Sequence, residues 1–336
     1  CKVILRRGTM KKIVILESKS LGEIDYSPLN EFGQVELYEE TRKDQVAERI
    51  KEANIVLTNK VVLDESNLKN ASKLELICEE ATGYNNVDVN YCGEHNIAVT
   101  NVAGYSTSTV AQHTFATLLS LYNKISYYDN YVKSGNYSKN KMFCDLSKNY
   151  YDLEGKTMGI VGLGAIGKRV AKIAEAFGIN VVYYSTSGRN SDKNYKRVEL
   201  EELLSTSDII SIHAPLNEKT LGLFNYDNIK KMKKNAVLIN MGRGPIVVDA
   251  DLAKAIDEGL INGAALDVFE VEPIKEDNEL LKVKNKDKLI LTPHVAWASV
   301  EARNRLFNNV IDNIRSFYKG EKKNRVEIQI NDTEMK

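Results

Sequence analysis

Met158-Gly159-Ile160-Val161-Gly162-Leu163-Gly164-Ala165-Ile166-Gly167 is the stretch on which the fold turns. The run 158–161 has the length and apolar character of a buried strand, and 166–177 repeats its apolar residues at helical spacing. Between them Gly162, Gly164 and Gly167 form G-x-G-x-x-G. Alone, that pattern is a common turn. Placed between a strand and a helix, it is the phosphate-binding turn of a dinucleotide site: glycine lets the backbone approach a pyrophosphate, and the helix N-terminus offers free N–H groups. Ala165 and Ile166 would sit at that N-terminus.

Downstream, strands are predicted at 181–184, 209–213, 236–240, 263–267 and 289–292, with helices at 200–205 and 249–258. Upstream, strands at 13–16, 55–57, 74–78 and 97–100 surround a helix at 45–52. A long helix is expected over 108–133, then a polar Tyr/Asn/Lys-rich segment to 152, and a closing helix over 300–318. Two separate series of short strands and helices predict an α/β protein with two Rossmann-like domains, each built on a parallel sheet.

Bulk composition narrows the function classes. The 336 residues carry 46 basic and 46 acidic side chains, so there is no electrostatic footprint for nucleic acid. The longest apolar stretches, 114–122 and 158–167, fall short of the ~20 residues of a membrane span. Cys1, Cys78, Cys92 and Cys144 have no metal-ligand spacing. The expectation is a cytoplasmic protein with free thiols and no bound metal. Met10 runs straight into the first strand, so residues 1–9 are expected to be a non-native or mis-started extension, and 327–336 a flexible tail.

The ribose end of the dinucleotide motif is altered. An acid normally ends the second strand, where it binds the ribose hydroxyls. Here that strand is followed by Ser185-Thr186-Ser187-Gly188-Arg189. Ser185, Thr186 and Arg189 could instead receive a 2′-phosphate, so either NAD(H) or NADP(H) is expected.

Three polar residues follow later strands: Arg243, Glu272 and His294, spaced by 29 and 22 residues. Catalytic groups of open α/β sheets gather beyond the carboxyl ends of strands. With the glycine turn, this set resembles the D-isomer-specific 2-hydroxyacid dehydrogenase family from about residue 10 to 326. The chemistry suits those residue types. A guanidinium binds a keto acid's carboxylate or carbonyl, imidazole exchanges the proton at its oxygen, and a carboxylate orients the imidazole. Arg243, His294 and Glu272 would take these roles.

The resemblance implies more. Residues 10–107 with 299–326 would form the substrate domain and 108–298 the NAD(P)-binding domain, with hinges near 103–108 and 295–300 and a homodimer formed largely through the cofactor domain. His213, Ala214, Pro215, Thr220, Met241 and Gly242 would line the cofactor, and Asp267 would face the nicotinamide carboxamide. Ala81, Thr82 and Gly83 would receive the substrate carboxylate, and Trp297 would wall the pocket. His113 is expected to be a packed or interdomain residue. The stretches 81–88, 104–112 and 293–299 look most like the family's glycerate dehydrogenase, or hydroxypyruvate reductase, branch, with glyoxylate as side substrate. Two alternatives stay open: another D-2-hydroxy acid, or a dinucleotide-sensing corepressor that binds the cofactor without turnover. Glu272 argues against formate dehydrogenases, which depart from the family at that acid.

Overall fold

The computed structural model describes residues 10–189 and 191–327. The extension expected over 1–9 and the tail from 328 lie outside them. Glu327, placed at the head of that tail, is buried, and its carboxylate accepts the Val99 N–H at 2.9 Å. The chain divides into two compact units, the described parts of Cys1–Ser106 and Ala298–Lys336, and Thr107–Trp297.

The first unit contains β1 (Lys11–Ile15), β2 (Gly33–Leu37), α1 (Val46–Ile50), β3 (Ile55–Thr58), α2 (Glu65–Leu68), β4 (Leu76–Glu79), α3 (Val89–Glu94) and β5 (Ala98–Thr100). The strands form one parallel sheet in the order β2-β1-β3-β4-β5. β3 and β4 are buried along their whole length, so up to their last residues, Thr58 and Glu79, they read as apolar runs instead of alternating ones. β2 escapes the sequence reading because Gln34 and Glu36 interrupt its apolar residues on a half-exposed edge.

The second unit holds α4 (Thr107–Tyr122), α5 (Ile125–Lys133), β6 (Thr157–Val161), α6 (Ala165–Ala176), β7 (Asn180–Tyr184), β8 (Lys196–Arg197), α7 (Leu200–Thr206), β9 (Ile209–Ile212), α8 (Tyr226–Ile229), β10 (Val237–Asn240), α9 (Asp249–Asp257), β11 (Gly263–Leu266) and β12 (Leu289–Leu291). The last helix, α10 (Val300–Tyr318), belongs to the first unit. The second sheet is parallel, in the order β12-β11-β10-β9-β6-β7-β8. Its order reverses between β6 and β9, the topological switch point at which such sheets bind ligands. The helix expected over 108–133 is two helices. Lys124 takes a left-handed φ of 57° between them, and α5 buries none of its residues.

A pair of carboxyl groups ends β4. Glu79 accepts a hydrogen bond from Asn86 at 3.0 Å, whereas neither carboxyl oxygen of Glu80 has a partner among the described residues. Glu80 is 1% exposed, and burial, reinforced by the charge of Glu17, pushes its carboxyl from 4.5 up to about 8. A group protonated in the fold but ionised when unfolded stabilises fully below pH 4.5, and that stabilisation drains away as pH rises to about 8. Glu80→Gln is therefore expected to melt several degrees higher than the parent at pH 8 and no higher at pH 4.5. Thermal denaturation at both pH values checks this; a difference independent of pH sinks it.

Candidate active site

The glycine turn sits where β6 meets α6. Gly162 has φ 91°, and a Cβ there would lie 2.8 Å from Ala214 Cα, so only glycine fits. A Cβ on Gly167 would come within 2.4 Å of the Gly162 carbonyl oxygen, which sets how closely α6 approaches the strand. At Gly164 a Cβ would meet nothing within 4 Å. The N-terminus of α6 has no side-chain cap, which leaves the first-turn N–H groups, Ala165 and Ile166 among them, able to receive an anion.

Around that turn lie the other residues expected to contact a cofactor. Ser185 follows β7, 4% exposed, and its Oγ is buried without a partner among the described residues. Thr186 is half-buried and Arg189 is exposed. Arg189 lines a cavity of about 610 Å³ together with Gly164, Ala165, Lys168 and Asp192. Asp192 was missed in the sequence. It lies beyond the strand end and reaches this cavity by the returning loop, paired to Lys168 at 2.9 Å. His213 follows β9; its Nε2 shares a 2.8 Å hydrogen bond with Ser211 Oγ, and its Nδ1 is buried without a partner among the described residues. Burial pushes this imidazole down to about 3, so the ring is neutral. Ala214 is buried beside Gly162 and Pro215 is exposed. Met241 and Gly242 are buried after β10.

Thr220 needs a correction. It is 0% exposed, and its hydroxyl donates to the Pro215 carbonyl at 2.8 Å and accepts the Asn217 N–H at 2.9 Å. It shapes the 215–220 turn and has no surface for a cofactor. Open space at Gly164, an uncapped helix N-terminus and orphaned polar atoms at Ser185 and His213 together fit a bound dinucleotide.

Three adjacent strands, β10, β11 and β12, carry the other loops. Asn240, fully buried at the end of β10, bridges its turn: its Nδ2 donates to the Arg243 carbonyl at 2.9 Å and its Oδ1 accepts the Gly242 N–H at 3.0 Å. Arg243 is half-buried with extended backbone, and its Nη1 donates to the Gly242 carbonyl at 2.9 Å. The next residue, Gly244, lies so close to the β11 loop that a Cβ would fall 1.7 Å from the Phe269 carbonyl oxygen.

Glu272 comes from that same β11 loop. Its Oε1 accepts the Phe269 N–H at 3.0 Å, and its Oε2 meets His294 Nδ1 at 2.6 Å. An ionised carboxylate only accepts, so Nδ1 carries the hydrogen and Nε2 is the nitrogen left for a substrate. His294 holds a φ of 55°, an uncommon backbone for a residue with a side chain. Asp267 over-determines it. Its main-chain oxygen accepts the His294 N–H at 2.8 Å, and its carboxylate accepts from Val295 N, Ala296 N and Thr292 Oγ1 at 2.9, 2.8 and 2.6 Å. Asp267, expected to face a carboxamide, thus holds the His294 loop. A carboxylate has four lone-pair sites, so one remains.

Ala81, Thr82 and Gly83 belong to the first unit, in the turn after β4. The Ala81 carbonyl accepts the Val102 N–H at 2.9 Å and the Thr82 hydroxyl donates to the Val102 carbonyl at 3.0 Å. Trp297 is half-buried and packs on the second unit's core beside Ala296. No group of three or more potential metal ligands occurs among the described residues.

A dinucleotide cradle, a loop guanidinium and an imidazole braced by a carboxylate, all at the carboxyl ends of one parallel sheet, define a nicotinamide-dependent oxidoreductase. The chain belongs to the D-isomer specific 2-hydroxyacid dehydrogenase family, whose NAD binding domain matches residues 115–296. It is 38% identical over 316 residues to a hydroxypyruvate reductase of Blautia hydrogenotrophica, covering 92% of this chain and 97% of that protein. It is 37% identical over 321 residues to a glycerate dehydrogenase of Methylorubrum extorquens, covering 94% and 99%. Among solved structures, an acyclic imino acid reductase in complex with NADPH and D-Arg superposes with TM-score 0.84 at 28% identity, over 94% of this chain and 99% of that one. A D-lactate dehydrogenase from Aquifex aeolicus complexed with NAD and lactic acid gives 0.82, 28%, 94% and 99%.

Proposed function

We propose that this NAD(P)-dependent dehydrogenase reduces a small 2-keto acid to the D-2-hydroxy acid, hydroxypyruvate to D-glycerate first and glyoxylate as a side substrate. The observation that carries the reading is the 2.6 Å contact between His294 Nδ1 and a Glu272 carboxylate already braced by the Phe269 N–H. Arg243 binds the substrate carboxylate or the neighbouring carbonyl. Imidazolium at His294 gives its Nε2 proton to the carbonyl oxygen, and Glu272 offsets the positive charge before transfer. When bound, the nicotinamide supplies the hydride that adds to the keto carbon. In oxidation His294 takes the proton back. The Ala81-Thr82-Gly83 turn is assigned to the substrate carboxylate, and Trp297 to the pocket wall. The similarity to a hydroxypyruvate reductase and a glycerate dehydrogenase supports the choice of substrate.

Both coenzymes are accepted in this reading. Ser185 stands directly after β7 where an acid would repel a 2′-phosphate, Arg189 and Lys168 line the cavity there, and the acid that also lines it, Asp192, is paired to Lys168 at 2.9 Å. The enzyme is read as a homodimer joined through the second unit, because Met142, Phe143 and Leu146 are 62%, 85% and 81% exposed within one short stretch. Among the described residues no helix is long and apolar enough to cross a membrane, and Cys78, Cys92 and Cys144 are free, in keeping with a cytoplasmic enzyme.

Initial rates with hydroxypyruvate, glyoxylate, pyruvate and 2-ketoisocaproate, each with NADH and NADPH, test the proposal. Hydroxypyruvate is expected to give the highest kcat/KM, about tenfold or more above 2-ketoisocaproate. NADPH is expected to work within roughly tenfold of NADH. Tight NADH binding without turnover of any keto acid would select the sensor reading instead.

A further inference from the structure

The helix α4 carries a histidine that the chemistry above does not use. His113 Nε2 lies 3.0 Å from Thr292 Oγ1 and 3.7 Å from Asp267 Oδ1. Thr292 Oγ1 in turn lies 2.6 Å from Asp267 Oδ1. The proton count sets the direction of this chain. A carboxylate can only accept, so the one hydroxyl hydrogen of Thr292 goes to Asp267. The threonine oxygen then has only lone pairs to offer, so His113 Nε2 carries a hydrogen and donates it. The order is His113 Nε2–H to Thr292 Oγ1–H to Asp267 Oδ1.

What hangs on Asp267 is the loop of the proton donor. The His294, Val295 and Ala296 N–H groups all end on this one residue. Together they hold His294 at a φ of 55°. A backbone in that region persists only while its surroundings enforce it. Asp267 is 1% exposed, and its orientation within the enclosed site is set by the donors that reach it. Thr292 is a side-chain donor among them, and His113 fixes the rotor of that hydroxyl.

We propose that His113, acting through Thr292 and Asp267, is a positioning residue for His294. It touches no reacting atom; it holds the hydroxyl that orients the carboxylate that clamps the loop. The proposal rests on reading His294 as the proton donor.

The test compares His113→Leu, His113→Gln, Thr292→Val and the Leu/Val double variant, with melting temperature and NADH affinity measured alongside. Leucine suits a helix and removes the donor, while the glutamine amide can place an N–H near the position of Nε2. A misplaced proton donor weakens the transition state and not substrate binding. His113→Leu is therefore expected to lose about 10- to 100-fold in kcat with KM nearly unchanged. His113→Gln is expected to recover to within about threefold of the parent. Because the two residues act in series, the double variant is expected to be no slower than Thr292→Val alone. A kcat for His113→Leu within twofold of the parent overturns the proposal, as do additive losses or a glutamine variant no better than leucine. Failure of the underlying reading shows separately, as a His294→Asn enzyme that keeps the parent's turnover.

Discussion

A His294→Asn enzyme is expected to reduce 2-keto acids about 10³-fold more slowly than the parent, with NAD(P)H affinity unchanged. Asparagine is the informative replacement, because it tolerates the left-handed backbone that position 294 adopts at φ 55°. The loop keeps its N–H contacts to Asp267, so the loss reports the missing imidazole and not a collapsed loop. The size follows from the work assigned to the ring. Without His294 the alkoxide formed at the keto carbon must take its proton from water, and Glu272 loses the cation it steadies. The residual rate belongs to binding and orientation, including what Arg243 contributes. Steady-state rates with fluorescence titration of NADH check this; a variant within tenfold of the parent would remove His294 from the proton-transfer role.

The second large effect is on assembly. Phe143→Asp combined with Leu146→Asp is expected to convert a two-chain particle into single chains, as read by light scattering at micromolar concentration. Both side chains are more than four-fifths exposed in the isolated chain, and Met142 and Val132 add 62% and 56% exposed apolar surface on the same segment. Helix α5 buries none of its own residues, so the segment has little reason to hold its form in water alone. Two carboxylates in a dry interface cost far more than they do in solvent. A parent that runs as one chain, or a variant that stays at two, defeats the reading.

Much of this was visible in the sequence, for identifiable reasons. Strands β9, β10 and β11 are buried from end to end, which makes them short, mostly apolar runs, broken only by Ser211 and the terminal Asn240. The glycine turn stood out because backbone approach restricts residue type, as the 2.8 Å clearance at Gly162 illustrates. Arg243, Glu272 and His294 stand out only as a set, each in a loop after a strand and spaced by 29 and 22 residues; singly, each reads as an ordinary loop residue. Other features left no local trace. The break at Lys124 uses a residue with no helix-stopping signature, and β2 is an edge strand half in water. Asp192 reaches the cavity beside the glycine turn from the loop after β7, so its place cannot be counted from the strand. His113 meets Thr292 across 179 residues, a contact that no spacing rule anticipates. Asn240 looked like the polar end of a strand, yet its amide braces the Arg243 turn from both sides.

The contact at Gly244 has a consequence for anyone altering this enzyme. With no room for even a methyl group between residue 244 and the Phe269 carbonyl, the loop bearing the guanidinium and the loop bearing the carboxylate are packed backbone against backbone. Selection for a bulkier substrate therefore cannot widen the gap between Arg243 and Glu272 by loosening one loop. Inactive clones from a random library will include changes at 244 that resemble catalytic lesions while every reacting side chain is intact. New substrate range has to come from residues that are not soldered together in this way.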